Sequence, residues 1–90
     1  MQLQGVIKEI KETEQKGNFV FRMLILSTAE QYSQDIAIQF NKDATEMLNL
    51  YKVGESITVS INIRGKGYED RNTGEMKYFN TIQGWKIERN

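Results

Sequence analysis

The chain is 90 residues long, balances 12 Lys/Arg against 12 Asp/Glu, and contains neither cysteine nor histidine. That length makes one domain, near the small end of what folds without covalent staples. The missing Cys and His remove disulfides, most zinc chemistry and every Ser-His or Cys-His nucleophile pair, and zero net charge advertises no general attraction to nucleic acid.

The dominant period along the chain is two, which marks strands. The first predicted strand is "LQGVIKEIKETE", residues 3–14, with Gly5 as a bulge or bend. Its two faces, Val6, Lys8 and Ile10 against Ile7, Glu9 and Lys11, each carry apolar side chains. The second, "NFVFRMLILST", residues 18–28, is apolar on both faces except at Arg22 and reads as a central strand. The third, "DIAIQF", residues 35–40, sets Ile36, Ile38 and Phe40 against Asp35, Ala37 and Gln39.

A helix is expected over "NKDATEMLNLYKVG", residues 41–54. Asn41 or Asp43 offers an N-cap, Asp43 and Glu46 have capping-box spacing, and Gly54 suits the exit turn. Met47, Leu48 and either Leu50 or Tyr51 form its apolar face. The fourth strand, "ESITVSINIR", residues 55–64, places Ile57, Val59, Ile61 and Ile63 on one side.

A long hairpin, "RGKGYEDRNTGEMKYFN", follows over residues 64–80 and turns on Asn72-Thr73-Gly74. The fifth strand, "KYFNTIQGWKIER", residues 77–89, has no clean phase. A bulge at Gly84 would bring Ile82 into step with Trp85 and Ile87, and Trp85 fits core or surface equally. Three strands, a short helix, a strand, a hairpin and a strand give the order of an all-β, five-stranded OB-fold Greek-key barrel. Its one short helix lies between the third and fourth strands, and residues 1–90 form a single OB-fold domain.

Charge is unevenly placed. Residues 1–63 hold six Lys/Arg and eight Asp/Glu, whereas residues 64–90 hold six and four. Glu9, Glu12 and Glu14 offer no converging partner for acid–base or metal chemistry, and Gly65 and Gly67 precede no helix that would cradle a phosphate. The expectation is therefore a non-enzyme without cofactor or metal. No apolar run approaches the roughly 20 residues of a membrane span, and "MQLQGVIKEI" is too polar for a signal peptide. A cytoplasmic protein with no membrane partner is expected.

"VFRMLILSTAEQYSQD" resembles the second strand and following loop of bacterial single-stranded DNA-binding proteins, with Ser27-Thr28-Ala29-Glu30-Gln31-Tyr32 in the place of an Ala-Thr-Ser-type strand end, Glu-Gln and an aromatic. "LYKVGESITVSINIRGKGYEDRNTGEMKYFNTI" resembles that family's helix end, fourth strand and long hairpin. The chain also resembles short single-domain OB proteins of Bacteroides-type bacteria and phages, in which "YFN", an apolar residue and "WKIE" recur near the C-terminus. The resemblance implies single-stranded DNA binding in replication or recombination, with little sequence preference. It implies base stacking on Tyr32, Phe40 and Tyr68, and assembly as a homodimer or homotetramer through the first strand and the hairpins. That family's acidic recruitment tail is not expected here, since these residues stop at Glu88-Arg89-Asn90.

Single-strand binding needs flat π faces for bases and cations along the backbone. On an OB barrel both lie on the face of strands two and three and on the flanking loops. That footprint holds Lys16, Arg22, Tyr32, Phe40, Arg64, Lys66, Tyr68, Arg71, Lys77 and Tyr78. Each also has a plainer reading: Phe40 shares parity with core residues, Arg22 can snorkel to a rim, and the hairpin cations can simply solvate it. Glu69, Asp70 and Glu75 partly cancel the hairpin's positive field. RNA is an equally suitable ligand on this chemistry, and the alternative function is a protein–protein module that uses the hairpin or a sheet edge.

Overall fold

The computed structural model describes all 90 residues as a closed, twisted barrel from which one hairpin protrudes. Its strands are β1 (Gln2–Ile10), β2 (Glu14–Lys16), β3 (Phe19–Thr28), β4 (Asp35–Asn41), β5 (Ser56–Glu69) and β6 (Met76–Arg89). The sheet order is β1-β5-β6-β4-β3-β2, and an additional β1–β3 pairing closes it. This is the OB-fold barrel; the predicted first strand, residues 3–14, ends early at Ile10, and after a break at residues 11–13 the short β2, which shares only Glu14 with it, continues along β3.

Closure depends on β1 serving two partners. Gln2–Val6 pair with β5, while Gly5–Ile10 pair with β3. At the shared position, a Cβ on Gly5 would collide with the Ser27 carbonyl oxygen, so glycine lets two backbones approach. The register shift lies three residues on, between Ile7 and Glu9, and leaves Lys8 unpaired with β3. Lys8 Nζ reaches Asp35 at 2.6 Å instead.

The core follows the expected alternation. Ile7, Leu24, Leu26, Ile38, Phe40, Ile57, Val59, Ile61 and Ile87 are buried inside the barrel, joined by Leu48 from the helix. Ile63 departs from this pattern. It keeps the inward parity of Ile57, Val59 and Ile61 but lies beyond the barrel wall, where it is 58% exposed.

Residues Lys42–Leu50 wind as a tight 3₁₀ helix after an extended Asn41. The expected capping box does not form. Asn41 Oδ1 accepts from Gln39 Nε2 at 2.8 Å, and Asn41 makes no side-chain cap. Thr45 and Leu48 are its buried residues, whereas Leu50 is exposed. Tyr51 packs on the core in its place and donates from its hydroxyl to the Ile87 carbonyl at 3.2 Å.

In β6 the phase break is a bulge at Trp85. Ser60 faces Lys86 and Ile61 faces Gly84, so Trp85 is the extra residue. Ile82, Gly84 and Ile87 then all face inward, and Trp85 is put outside, 53% exposed. The inward face of Gly84 abuts the Phe40 ring, which occupies the space a Cβ would need.

Candidate nucleic-acid interface

Strand parity assigns every side chain of the barrel wall to one of two faces. On β3, Leu24 and Leu26 point inward, so Phe19, Phe21, Met23 and Ile25 point outward. On β4, Ile38 and Phe40 point inward, so Gln39 and Asn41 point outward opposite Met23 and Phe21. On β6 and β5, the outward pairs are Gln83 with Asn62, Thr81 with Arg64, Phe79 with Lys66, and Lys77 with Tyr68. The parallel bridge Gln39–Gln83 joins the two halves. The outer face is thus continuous from β3, across β4 and β6, onto the protruding part of β5.

Two stacked aromatic pairs mark its ends. Phe19 and Phe21 have ring centroids 5.6 Å apart and planes 23° apart, with Lys16 Nζ 5.8 Å from the Phe21 ring. Tyr68 and Phe79 have centroids 5.3 Å apart and planes 6° apart, on the outward side of the hairpin. Stacking holds the two rings of each pair nearly parallel before any ligand arrives. Phe19, Phe21 and Phe79 were absent from the sequence-based footprint. Their signal was parity: once Leu24 and Leu26 are inward, Phe19 and Phe21 must be outward.

The cations differ in their freedom. Lys66 stands beside Phe79 in the β5–β6 register, and Arg71 lies exposed at the hairpin tip. Arg64 Nε donates to Gln83 Oε1 at 3.2 Å and carries no ion pair. Lys77 is matched to Asp70 at 3.2 Å. Asp70 also caps the tip, accepting from the Asn72 backbone N–H at 2.8 Å. That bond, followed by Lys77, holds the Asp70 carboxyl below its ordinary value. Tyr32 is 77% exposed in the loop between β3 and β4. The parallel β4–β6 register puts this loop at the same end of the barrel as the hairpin.

Three members of the expected footprint are corrected. Phe40 is fully buried with its ring against Gly84, so it offers no face to a base. Arg22 points inward and clamps the barrel end. Its Nε donates to the Lys11 carbonyl at 2.7 Å, and its Nη1 donates to Asn49 Oδ1 at 2.8 Å and the Thr45 carbonyl at 3.3 Å. Tyr78 lies over Gly67 on the inward side of the hairpin, on the opposite face from Tyr68 and Phe79.

A search of solved structures finds the same fold in the S. cerevisiae mitochondrial single-stranded DNA binding protein Rim1. One crystal structure of Rim1 aligns with a TM-score of 0.74 at 13% identity, covering 99% of this chain and 91% of that one. A second, selenomethionine-labelled structure aligns with a TM-score of 0.57 at 14% identity, covering 99% and 90%. No curated protein matches the chain by sequence. The family model described as Domain of unknown function (DUF3127) matches residues 2–88, and the chain belongs to that family.

Proposed function

We propose that the protein binds single-stranded nucleic acid, DNA in the first instance, along the outer face between its two stacked aromatic pairs. The observation that carries this reading is the placement of Phe19/Phe21 and Tyr68/Phe79 on one continuous face, with Lys16, Arg64 and Lys66 alongside. Bases stack on the rings and the cations meet the phosphates, with no bond made or broken. The likeness to Rim1 in fold supports the same choice of ligand.

The test is fluorescence anisotropy with labelled oligo-dT of about 35 nucleotides, longer than the roughly 4–16 that one OB fold covers. Saturable binding that duplex DNA does not compete for is the expected result. Phe79→Ala and Phe21→Ala each weaken it by about 5- to 150-fold, since one base stack contributes roughly 1–3 kcal/mol. A folded protein that fails to bind at low salt refutes the reading.

A second reading has its own support. The inward side of the hairpin exposes Ile63, Met76 and Tyr78 next to half-buried Ile82, an apolar strip that suits a protein contact. A second copy of the chain packed there would make a homodimer, one of the two assemblies, homodimer or homotetramer, that the resemblance implies, and leave the outer face free. Sedimentation over a concentration series, with and without Tyr78→Ser, tests it. A chain that stays monomeric throughout refutes it.

A further inference from the structure

Between the two aromatic pairs the outer face carries a row of four carboxamides. Asn41 and Gln39 lie two residues apart on β4, Gln83 faces Gln39 across the β4–β6 bridge, and Asn62 faces Gln83 across β5–β6. No ammonium or carboxylate interrupts the row. Arg64 flanks it and orients it: a guanidinium only donates, so its bond occupies Gln83 Oε1 and leaves the Gln83 amide N–H₂ free. On the other side of the bridge, Gln39 uses its Nε2 on Asn41 Oδ1, which leaves its Oε1 free. The result is one free acceptor and one free donor on neighbouring strands, about 4.8 Å apart at the backbone.

We infer that Gln39 and Gln83 read the edge of one base of the bound strand, Gln39 accepting from a donor and Gln83 donating to the acceptor beside it. An acceptor beside a donor matches an exocyclic amino group beside a ring nitrogen, the pairing by which carboxamides recognise adenine. Adenine offers that combination as N6–H₂ with N7 or with N1, cytosine as N4–H₂ with N3 and guanine as N2–H₂ with N3, while thymine sets N3–H beside O4 or O2, so each base presents such an edge. In a single strand both edges are accessible. The stacked rings at either end hold the strand flat on the wall, and the carboxamides then contact the base between them. Arg64 acts as a positioning residue, since it fixes which end of the Gln83 amide faces the base.

This inference rests on the proposed single-strand binding, and the experiment separates the two. Two labelled oligonucleotides of equal length are compared, one with a central run of deoxyadenosine and one with the same run as unsubstituted purine deoxyriboside. Both stack alike, but the second lacks the N6 amino group. The wild-type protein binds the adenine strand on the order of tenfold more tightly. In Gln39→Met and Gln83→Met, checked for folding by circular dichroism, that ratio falls to about one while affinity for the strand lacking the N6 amino group holds within roughly threefold. A wild-type ratio of one, or a ratio unchanged in both variants, overturns the base-reading role and leaves single-strand binding intact. Failure to bind either strand or oligo-dT overturns both.

Discussion

Salt offers the sharpest measurement of the proposed strand-binding surface. Displacing counterions from a single strand gives a slope of log K against log [salt] of about −0.7 for each phosphate neutralised. Lys77 is paired with Asp70, and Arg22 is turned inward against Lys11, Thr45 and Asn49. Lys16, Arg64, Lys66 and Arg71 remain without an ion pair on the outer face and the hairpin tip. Four cations set a ceiling near −3, which is a loss of about 50-fold between 50 and 200 mM salt. Anisotropy titrations at five KCl concentrations measure the slope directly. Lys66→Gln makes it shallower by about 0.7 and lowers affinity without changing which strand is preferred. A wild-type slope steeper than about −5 would require phosphate contacts from more cations than this face has, and would place the strand elsewhere.

Other outcomes follow from packing and charge. Gly84→Ala drives a Cβ into the buried Phe40 ring and costs about 1–3 kcal/mol, roughly 4–8 °C of Tm per kcal/mol. In a Phe40→Leu background most of that penalty disappears; equal penalties in both backgrounds in thermal melts would refute the contact. Gly5→Ala, with a backbone carbonyl where its Cβ must go, lowers Tm more than Gly67→Ala, whose obstacle is the movable Tyr78 ring; the reverse order in the same melts would contradict the shared role of β1. The Asp70 carboxyl is depressed in the folded chain, so its support for the hairpin tip is complete above its unfolded value of 3.8. That support is lost only as pH falls through the lower folded value. The Asn72 amide resonance accordingly titrates with a midpoint below 3.8, and a midpoint at or above it removes the Asn72 bond from the account. Trp85, the sole tryptophan, emits at long wavelength and is readily quenched by acrylamide; blue-shifted, protected emission would mean the bulge is elsewhere.

How far the sequence could be read depended on what kind of signal each element left. Period-two alternation gave the cores of β4 and of β5 up to Ile61, because the buried face there is apolar and the outer face polar. It failed on β3, where Phe19, Phe21, Met23 and Ile25 make the outer face as apolar as the inner one. The binding candidates there were hidden among core-like residues. Phe40 was ambiguous for the converse reason: an aromatic at a strand end suits a platform or a plug, and the glycine across from it, Gly84, decides for the plug. Arg22 is read wrongly whenever a lone cation on an apolar strand is taken as a ligand contact. Its partners are two backbone carbonyls and Asn49, and backbone carbonyls leave no trace in sequence. The aromatic platform of the hairpin was half legible, with Tyr68 singled out and its partner Phe79 missed, because they stack diagonally across the register.

One residue links the barrel to the hairpin's choice of face. Ile87 must point inward to fill the core beside Val59, and Gly84 must point inward to admit the Phe40 ring. Those two positions are three apart, an odd spacing that a regular strand cannot place on one side. The extra residue at Trp85 resolves the conflict, and everything N-terminal to it inherits the new phase: Gln83, Thr81, Phe79 and Lys77 outward, Ile82, Asn80, Tyr78 and Met76 inward. A strand without the bulge, held by Ile87, would present Tyr78 and Met76 outward and turn Phe79 and Lys77 in, which separates Phe79 from Tyr68 and breaks the stacked pair. The same insertion therefore closes the core and sets the aromatic and carboxamide groups on the outer wall.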